Sequence, residues 1–183
     1  MVLLDAACFD AWPIEGVRML QAATPEQETS EFVDQVVRLT IDLGVSHKER
    51  LEEAALGSYV EPWVADPAAF FRAIRAVDGV GLAGRERELG ELEIPTLIIW
   101  GEDDPYLPAE LAERLGETLS GSTVALLPGC SHYVTEDAGP TVDQLVYEFL
   151  RLRYLGEKHG HAAAGPVQVF LERPPDDALG LER

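Results

Sequence analysis

The sequence of 183 residues predicts an α/β fold with a parallel β-sheet, helices on both faces of the sheet and a separate block of helices. Two observations carry this prediction. Over 94–155, short apolar runs rich in β-branched residues alternate with amphipathic stretches, which is typical of βα units joined by right-handed crossovers. Over 24–79, helical patterns follow one another with no strand between them.

Composition limits the classes of partner. Hydrophobic residues make up 46% of the chain, and 33 acidic against 14 basic side chains give a net charge of −19. Nucleic acids and anionic membranes are bound largely through Lys and Arg, so neither is an expected partner. Two cysteines are too few for a disulfide framework, which favours a reducing, cytoplasmic location. No stretch approaches the roughly 20 apolar residues of a membrane span.

The first predicted element is a strand over 2–5, an apolar run that ends at Asp5. Buried parallel strands have neighbours on both sides, and nothing in the sequence precedes this one. We therefore expect an unpaired, apolar sheet edge at 2–5, through which the chain self-associates.

Capping signals divide the helical block into three helices. The first opens with a capping box and an N1 proline at 24–27 and is expected to end at Gly44. A second box predicts a helix over 46–57, and an Asp-Pro pair opens a third over 66–79. The glycine-rich, charged segment 80–93 is expected to be a surface connector.

The second half predicts two strands, at 94–100 and 123–127, each followed by a helix. Pro108 opens the first of these helices and Pro140 the second, which has apolar residues at helical spacing on one face. The polar tail after Gly156 contains one short strand candidate, 167–171.

Two loops follow the carboxyl ends of these strands, where parallel sheets gather functional groups. The first contains Asp103 and Asp104, and the second contains Cys130, Ser131 and His132. An aspartate that meets His132 would fix its tautomer and leave one ring nitrogen free as a general base. Both aspartates are equally suited to a plain turn, so spacing alone leaves the two interpretations open.

The same segments resemble the α/β-hydrolases. The run IPTLIIWGEDD at 94–104 resembles the strand and acid loop of that family, and PGCSH at 128–132 resembles its histidine loop. The resemblance implies that Asp104 is the triad acid and His132 the triad base. The opening VLLDAACFDAWP resembles the strand that precedes the helical cap of epoxide-hydrolase-like and dehalogenase-like members.

The resemblance covers roughly 2–155 and implies a division into four parts. These are a first core strand and loop (1–11), a helical cap with its connector (12–93), the C-terminal core (94–155) and the tail (156–183). It also implies that Trp12 and Trp63 line a pocket for a small-molecule substrate under the cap. Packing is an equally good interpretation of Trp12, and helical spacing makes packing within the cap the better interpretation of Trp63.

One part of the family pattern is missing. No Gly-x-nucleophile-x-Gly elbow occurs, because Ser58, Ser122 and Ser131 each lack the second glycine. The resemblance puts the elbow, the oxyanion hole and the first strands ahead of residue 1. We therefore expect the C-terminal portion of a hydrolase that is inactive by itself. The nucleophile, Ser for ester-like substrates or Asp for epoxides and halides, stays open.

The alternative is a non-catalytic relative that serves as an interaction module or is complemented by a second chain. Among smaller candidates, Asp5 is the runner-up acid, although a capping role suits it better. Cys130 is expected to be a small packing residue. Glu157, His159 and His161 lack further ligands at fixed spacing, so we predict no metal site and no cofactor.

Overall fold

The computed structural model of the chain describes residues 1–156 and 167–170. Four parallel strands form one sheet in the order β1-β2-β3-β4. The strands are β1 (Val2–Leu4), β2 (Thr96–Gly101), β3 (Ser122–Leu127) and β4 (Val167–Phe170). The predicted parallel sheet is therefore confirmed, with boundaries that differ by one or two residues.

Helices cover both faces of this sheet, as predicted. All six residues of β2 are buried, and its side chains alternate between the two faces. Ile98 and Trp100 pack with α6 (Glu110–Thr118), and Leu97 and Ile99 pack with α7 (Val134–Gly156). Helices thus hold β2 from both faces of the sheet. This fixes the position of the loop that follows its carboxyl end.

Four further helices form a block of their own. They are α1 (Glu15–Gln21), α2 (Ser30–Gly44), α3 (Glu53–Ala65) and α4 (Pro67–Ala76), whereas the short α5 (Glu86–Gly90) contacts α6. Val33, Phe70 and Phe71 form one apolar cluster between α2 and α4. Ile41, Val45 and Val60 form a second cluster, which also includes Tyr133 from the sheet side. We refer to α1–α4 as the helical block.

The first predicted helix begins later than expected. The capping box at 24–27 is present, but it encloses a single 3-10 turn, Pro25–Gln27. Helix α2 starts only at Ser30, where Thr29 accepts a hydrogen bond of 3.2 Å from the amide of Phe32. A second capping residue five positions downstream thus determines where the α-helix begins.

Both ends of the helix predicted at 46–57 are wrong. Its first part forms the 3-10 turn Lys48–Arg50, and α3 begins at Glu53 and continues through Gly57 to Ala65. The cause is tertiary, because the amide of Ser46 donates to the distant carboxylate of Asp137. Packing of α3 on α2 also outweighs the modest cost of a glycine inside a helix.

Further elements differ from prediction. The connector 80–93 contains α5, and α1 lies ahead of residue 24, where we predicted no helix. The helix predicted over 66–79 ends earlier, at Ala76. Helix α7 begins at Val134 within a segment predicted to be a loop, and it is interrupted at Ala138, which has φ −145° and ψ 39°. Pro140 lies in the first turn of the helical stretch that follows this interruption, a position that suits proline and at which we predicted a helix to begin.

Candidate active site

The centre of the site is a hydrogen-bonded pair of side chains from the two predicted loops. Nδ1 of His132 lies 2.8 Å from Oδ2 of Asp104. The other oxygen, Oδ1, accepts hydrogen bonds of 2.8 Å from the amide of Tyr106 and 3.0 Å from that of Leu107. The Asp104 side chain is 0% exposed. The turn that follows β2 therefore holds this carboxylate in one orientation toward the imidazole.

The imidazole of His132 keeps one nitrogen available. Its side chain is 23% exposed, and the rings of Tyr106 and Tyr133 contact it edge-on, with centroids 5.2 Å and 5.1 Å away. Within 1–156, the hydrogen bonds of this ring involve Nδ1 alone. A carboxylate on Nδ1 with Nε2 open is the arrangement in which histidine acts as a general base.

A close backbone approach brings the two loops together. The amide of Asp103 donates to the carbonyl of Cys130 at 3.0 Å. A Cβ atom on Gly101 would lie 2.1 Å from the Ser131 carbonyl oxygen and 2.5 Å from that of Cys130. Only glycine leaves room for this contact, so Gly101 sets the separation between the acid loop and the histidine loop.

A buried aspartate that sequence reasoning missed organises the histidine loop. Asp137 is fully buried, and its Oδ2 accepts a hydrogen bond of 2.6 Å from the amide of Ser131. Its Oδ1 accepts from the amides of Ser46 at 2.8 Å and His47 at 2.7 Å. The one signal in the sequence was an acid in the first turn of a helix, and that turn was predicted to be a loop.

Asp5, the runner-up acid, follows β1 on the same sheet edge but does not pair with His132. Its Oδ1 accepts a hydrogen bond of 2.9 Å from the amide of Gly101. Its buried Oδ2 has no hydrogen-bond partner among the residues that the structure describes. Burial raises the pKa of Asp5 to about 7, the Gly101 amide lowers it, and the nearby Asp104 carboxylate raises it. Asp5 therefore supports the start of the acid loop.

An open cavity of about 740 Å³ lies beside this centre, between the helical block and the loops. Tyr106 and Tyr133, which touch His132, are among its lining residues. Trp63 also lines it, packed edge-on against Phe70 at 5.8 Å. Trp12 is not among the lining residues that the structure describes. Of the two predicted tryptophans, only Trp63 is thus placed at the cavity.

The remaining candidates serve packing or lie outside the described residues. Burial raises the pKa of the Cys130 thiol to about 12, so this cysteine is not a thiolate at neutral pH. The buried Ser131 hydroxyl donates to the carbonyl of Leu43 at 3.3 Å. The histidine pair of the tail, His159 and His161, lies outside the described residues.

The described part of the chain contains no group of three or more His, Cys, Asp or Glu side chains arranged to hold a metal ion. None of its helices is both long and apolar enough to cross a membrane.

No family model matches this sequence. A 2-hydroxy-6-oxononadienedioate/2-hydroxy-6-oxononatrienedioate hydrolase of Paraburkholderia xenovorans is 23% identical over 156 residues, which cover 78% of this chain and 48% of that protein. The chain thus spans about half the length of the curated relatives it matches.

The chain also matches about half of the length of solved structures with an α/β-hydrolase fold. An α/β-hydrolase-fold protein from Burkholderia ambifaria superposes with a TM-score of 0.71 at 23% identity, over 80% of this chain and 55% of that one. A meta-cleavage product hydrolase from Pseudomonas fluorescens IP01 gives a TM-score of 0.62 at 22% identity, over 84% and 56%. The predicted resemblance is confirmed: this chain carries part of the α/β-hydrolase fold.

Proposed function

We propose that the chain is the acid- and histidine-bearing part of a hydrolase that acts on a small ester-like, epoxide or halide substrate. The observation that supports this function best is the pair formed by Asp104 and His132, whose neighbours Tyr106 and Tyr133 line an apolar cavity. A nucleophile–His–Asp triad needs these two groups in this order along the chain. The nucleophile is the member that the sequence does not supply.

In this proposal, Asp104 holds the proton-bearing Nδ1 of His132, so Nε2 is the basic nitrogen. Nε2 takes the proton from the nucleophile or from water, and the imidazolium that forms is stabilised by the Asp104 carboxylate. A serine nucleophile would form an acyl ester, and an aspartate nucleophile would form an alkyl ester. Water activated by His132 hydrolyses either ester, so the same two residues serve both chemistries.

We also propose that the helical block is the cap over this site and that Trp63 contacts the substrate. Two sets of hydrogen bonds between the helical block and the loops support a fixed position of the block relative to the loops. The Tyr106 hydroxyl donates to the carbonyl of Thr40 at 2.7 Å, and Asp137 accepts the amides of Ser46 and His47. A cap joined in this way shields the reacting groups from bulk water.

The names of the Paraburkholderia relative and several others denote hydrolysis of dienedioates, which carry two carboxylates. Such a compound is a further candidate substrate for the same triad chemistry. A second candidate function is non-catalytic: an interaction module, or a chain complemented by another one. Such a function needs no nucleophile elbow, and these 183 residues contain none.

The test starts with the coding DNA upstream of Met1, where an in-frame elbow would identify the nucleophile. Turnover of p-nitrophenyl acetate, styrene oxide and 1-bromobutane is then measured for this chain alone and for it together with the polypeptide that carries an elbow. We expect no turnover for the chain alone and turnover for the combination. Asp104→Asn and His132→Ala should each lower kcat by about 10³-fold or more.

Asp103→Asn is the matched control, because Asp103 is an exposed neighbour in the same loop. It should keep kcat within a few-fold of the unaltered protein. Full turnover in both the Asp104 and the His132 variants would refute the triad. No turnover in any combination, with the fold intact by circular dichroism, would favour the non-catalytic function.

A further inference from the structure

The described lining of the cavity beside His132 contains a single charged side chain, the acid Glu136. We propose that this cavity selects an uncharged, apolar group of the substrate and rejects carboxylates, with Glu136 as the residue that determines this specificity. This inference rests on the proposed hydrolase function and narrows its substrate class. Glu136 lies in the first turn of α7, four residues after His132, and belongs to the cavity lining.

The lining is apolar over most of its area. Five of its large apolar members lie on α1, α2 and α3 and are partly exposed: Met19, Leu39, Leu43, Tyr59 and Trp63. Because all five line one cavity, they form a contiguous apolar surface, and such a patch is typical of a binding site. An alkyl or aryl group placed here would remove these side chains from water and gain the hydrophobic contribution.

The lining residues that the structure describes include no Lys or Arg, and Glu136 is the one acid among them. The arginines of the helical block are engaged elsewhere. Arg38 pairs with Asp34 and Glu53, and Arg75 pairs with Glu28. No cation in the described lining is therefore in place to compensate a substrate carboxylate.

Glu136 is held in position rather than free to turn away. The Tyr59 hydroxyl donates to its Oε1 at 2.6 Å, a bond that joins α3 to α7 across one end of the cavity. A substrate carboxylate in the same cavity would lose its hydration and face this like charge, and both effects oppose binding. A dienedioate would meet this penalty, whereas an uncharged alkyl or aryl group would not.

Two fluorescent probes with the same ring system test the selection. N-phenyl-1-naphthylamine is uncharged, and 8-anilinonaphthalene-1-sulfonate adds one sulfonate to the same framework. Dissociation constants are measured at physiological ionic strength, where long-range repulsion from the net charge of −19 is screened. We expect the uncharged probe to bind about tenfold more tightly or better. Glu136→Gln should bring the two constants together, and Glu136→Lys should reverse their order.

Two matched controls assign the effect to the cavity. Glu117→Gln changes the same charge on the exposed face of α6, outside the lining, and should leave the ratio of the constants unchanged. Leu39→Gln should weaken the uncharged probe about tenfold, whereas Leu150→Gln, an exposed leucine on α7 outside the lining, should not.

Equal constants for the two probes, an unchanged ratio in Glu136→Gln, or a Glu117→Gln effect of the same size would each overturn the proposal. So would a Leu150→Gln loss larger than that of Leu39→Gln. Probe binding requires no turnover, so its outcome is separate from the triad test. The expected ratios with no turnover in any combination with an elbow-bearing polypeptide would count against the hydrolase function alone. Turnover in that combination with equal dissociation constants for the two probes would refute the charge selection alone.

Discussion

The buried carboxylate of Asp137 and the amide of Ser131 form a hydrogen bond of 2.6 Å, one residue before His132. The same carboxylate accepts amides from the segment that follows α2. One side chain thus fixes both the backbone of the histidine loop and its distance from the helical block. Asp104 orients the ring of His132, and Asp137 orients the loop that carries the ring.

Asp137→Ala should therefore damage stability more than any other substitution near the site. It removes the acceptor of three backbone hydrogen bonds and leaves the buried amide of Ser131 without a partner. We expect the free energy of unfolding to fall by about 3 kcal/mol or more. Urea denaturation followed by circular dichroism measures this change. Asp143→Ala, at an exposed position on the same helix, should change stability by less than about 0.5 kcal/mol.

Gly101→Ala should separate the two loops. The added Cβ would meet the Ser131 and Cys130 carbonyl oxygens, which are backbone atoms and cannot move aside cheaply. We expect a loss of about 2 to 3 kcal/mol in unfolding free energy and a longer Asp104–His132 distance in a crystal structure of the variant. Gly16→Ala is the control, because nothing lies within 4 Å of a Cβ added at Gly16 in α1. A neutral Gly101→Ala variant would contradict the close approach.

Asp5→Asn should change how stability depends on pH. The pKa of Asp5 is about 7 in the folded protein against an ordinary value of 3.8, mainly because burial disfavours its charge. Between these values the folded state holds a proton that the unfolded state has lost, so the wild type loses stability as pH rises. Asparagine cannot ionise and can keep the hydrogen bond from the Gly101 amide.

The stability difference, variant minus wild type, should thus increase by about 1 kcal/mol per pH unit between pH 4 and pH 7. Above pH 7 it should stay constant, because Asp5 is then ionised in both states. Denaturation curves at unit intervals of pH measure this difference, in which titrating groups remote from Asp5 cancel. A difference that does not change with pH would mean that Asp5 keeps an ordinary carboxyl pKa.

The elements with strong local signals were the ones that the sequence predicted well. The central run of β2 is apolar throughout, and Asp66 caps α4 by accepting the amide of Ala69 at 2.9 Å, as its sequence pattern predicts. The meeting of the acid and histidine loops followed from parallel topology, and the structure brings Asp104 and His132 together. Their catalytic roles stay a prediction.

The features that could not be predicted depend on contacts between distant residues. The capping box at 46–49 has the same sequence pattern as one that opens an α-helix. In the structure, the amides of Ser46 and His47 donate to the carboxylate of Asp137, which lies some ninety residues away in the sequence. The pKa of Asp5 likewise depends on burial, which its own neighbours in sequence do not reveal. Trp12 was predicted from its position near β1, but cavity lining is a property of the packed block.

Self-association through β1 stays a prediction, and one residue offers a direct test. The backbones of Met1 and Asp5 form hydrogen bonds with β2. Alternate residues of a strand direct their backbone groups to opposite sides, so those of Leu4 face away from β2, where no strand lies among the described residues. The Leu4 side chain is 37% exposed. Edge lysines oppose strand pairing, so Leu4→Lys should shift sedimentation at high protein concentration toward monomer. Leu152→Lys makes the same change on exposed α7 and should not. Equal behaviour of both variants would assign association to charge rather than to the β1 edge.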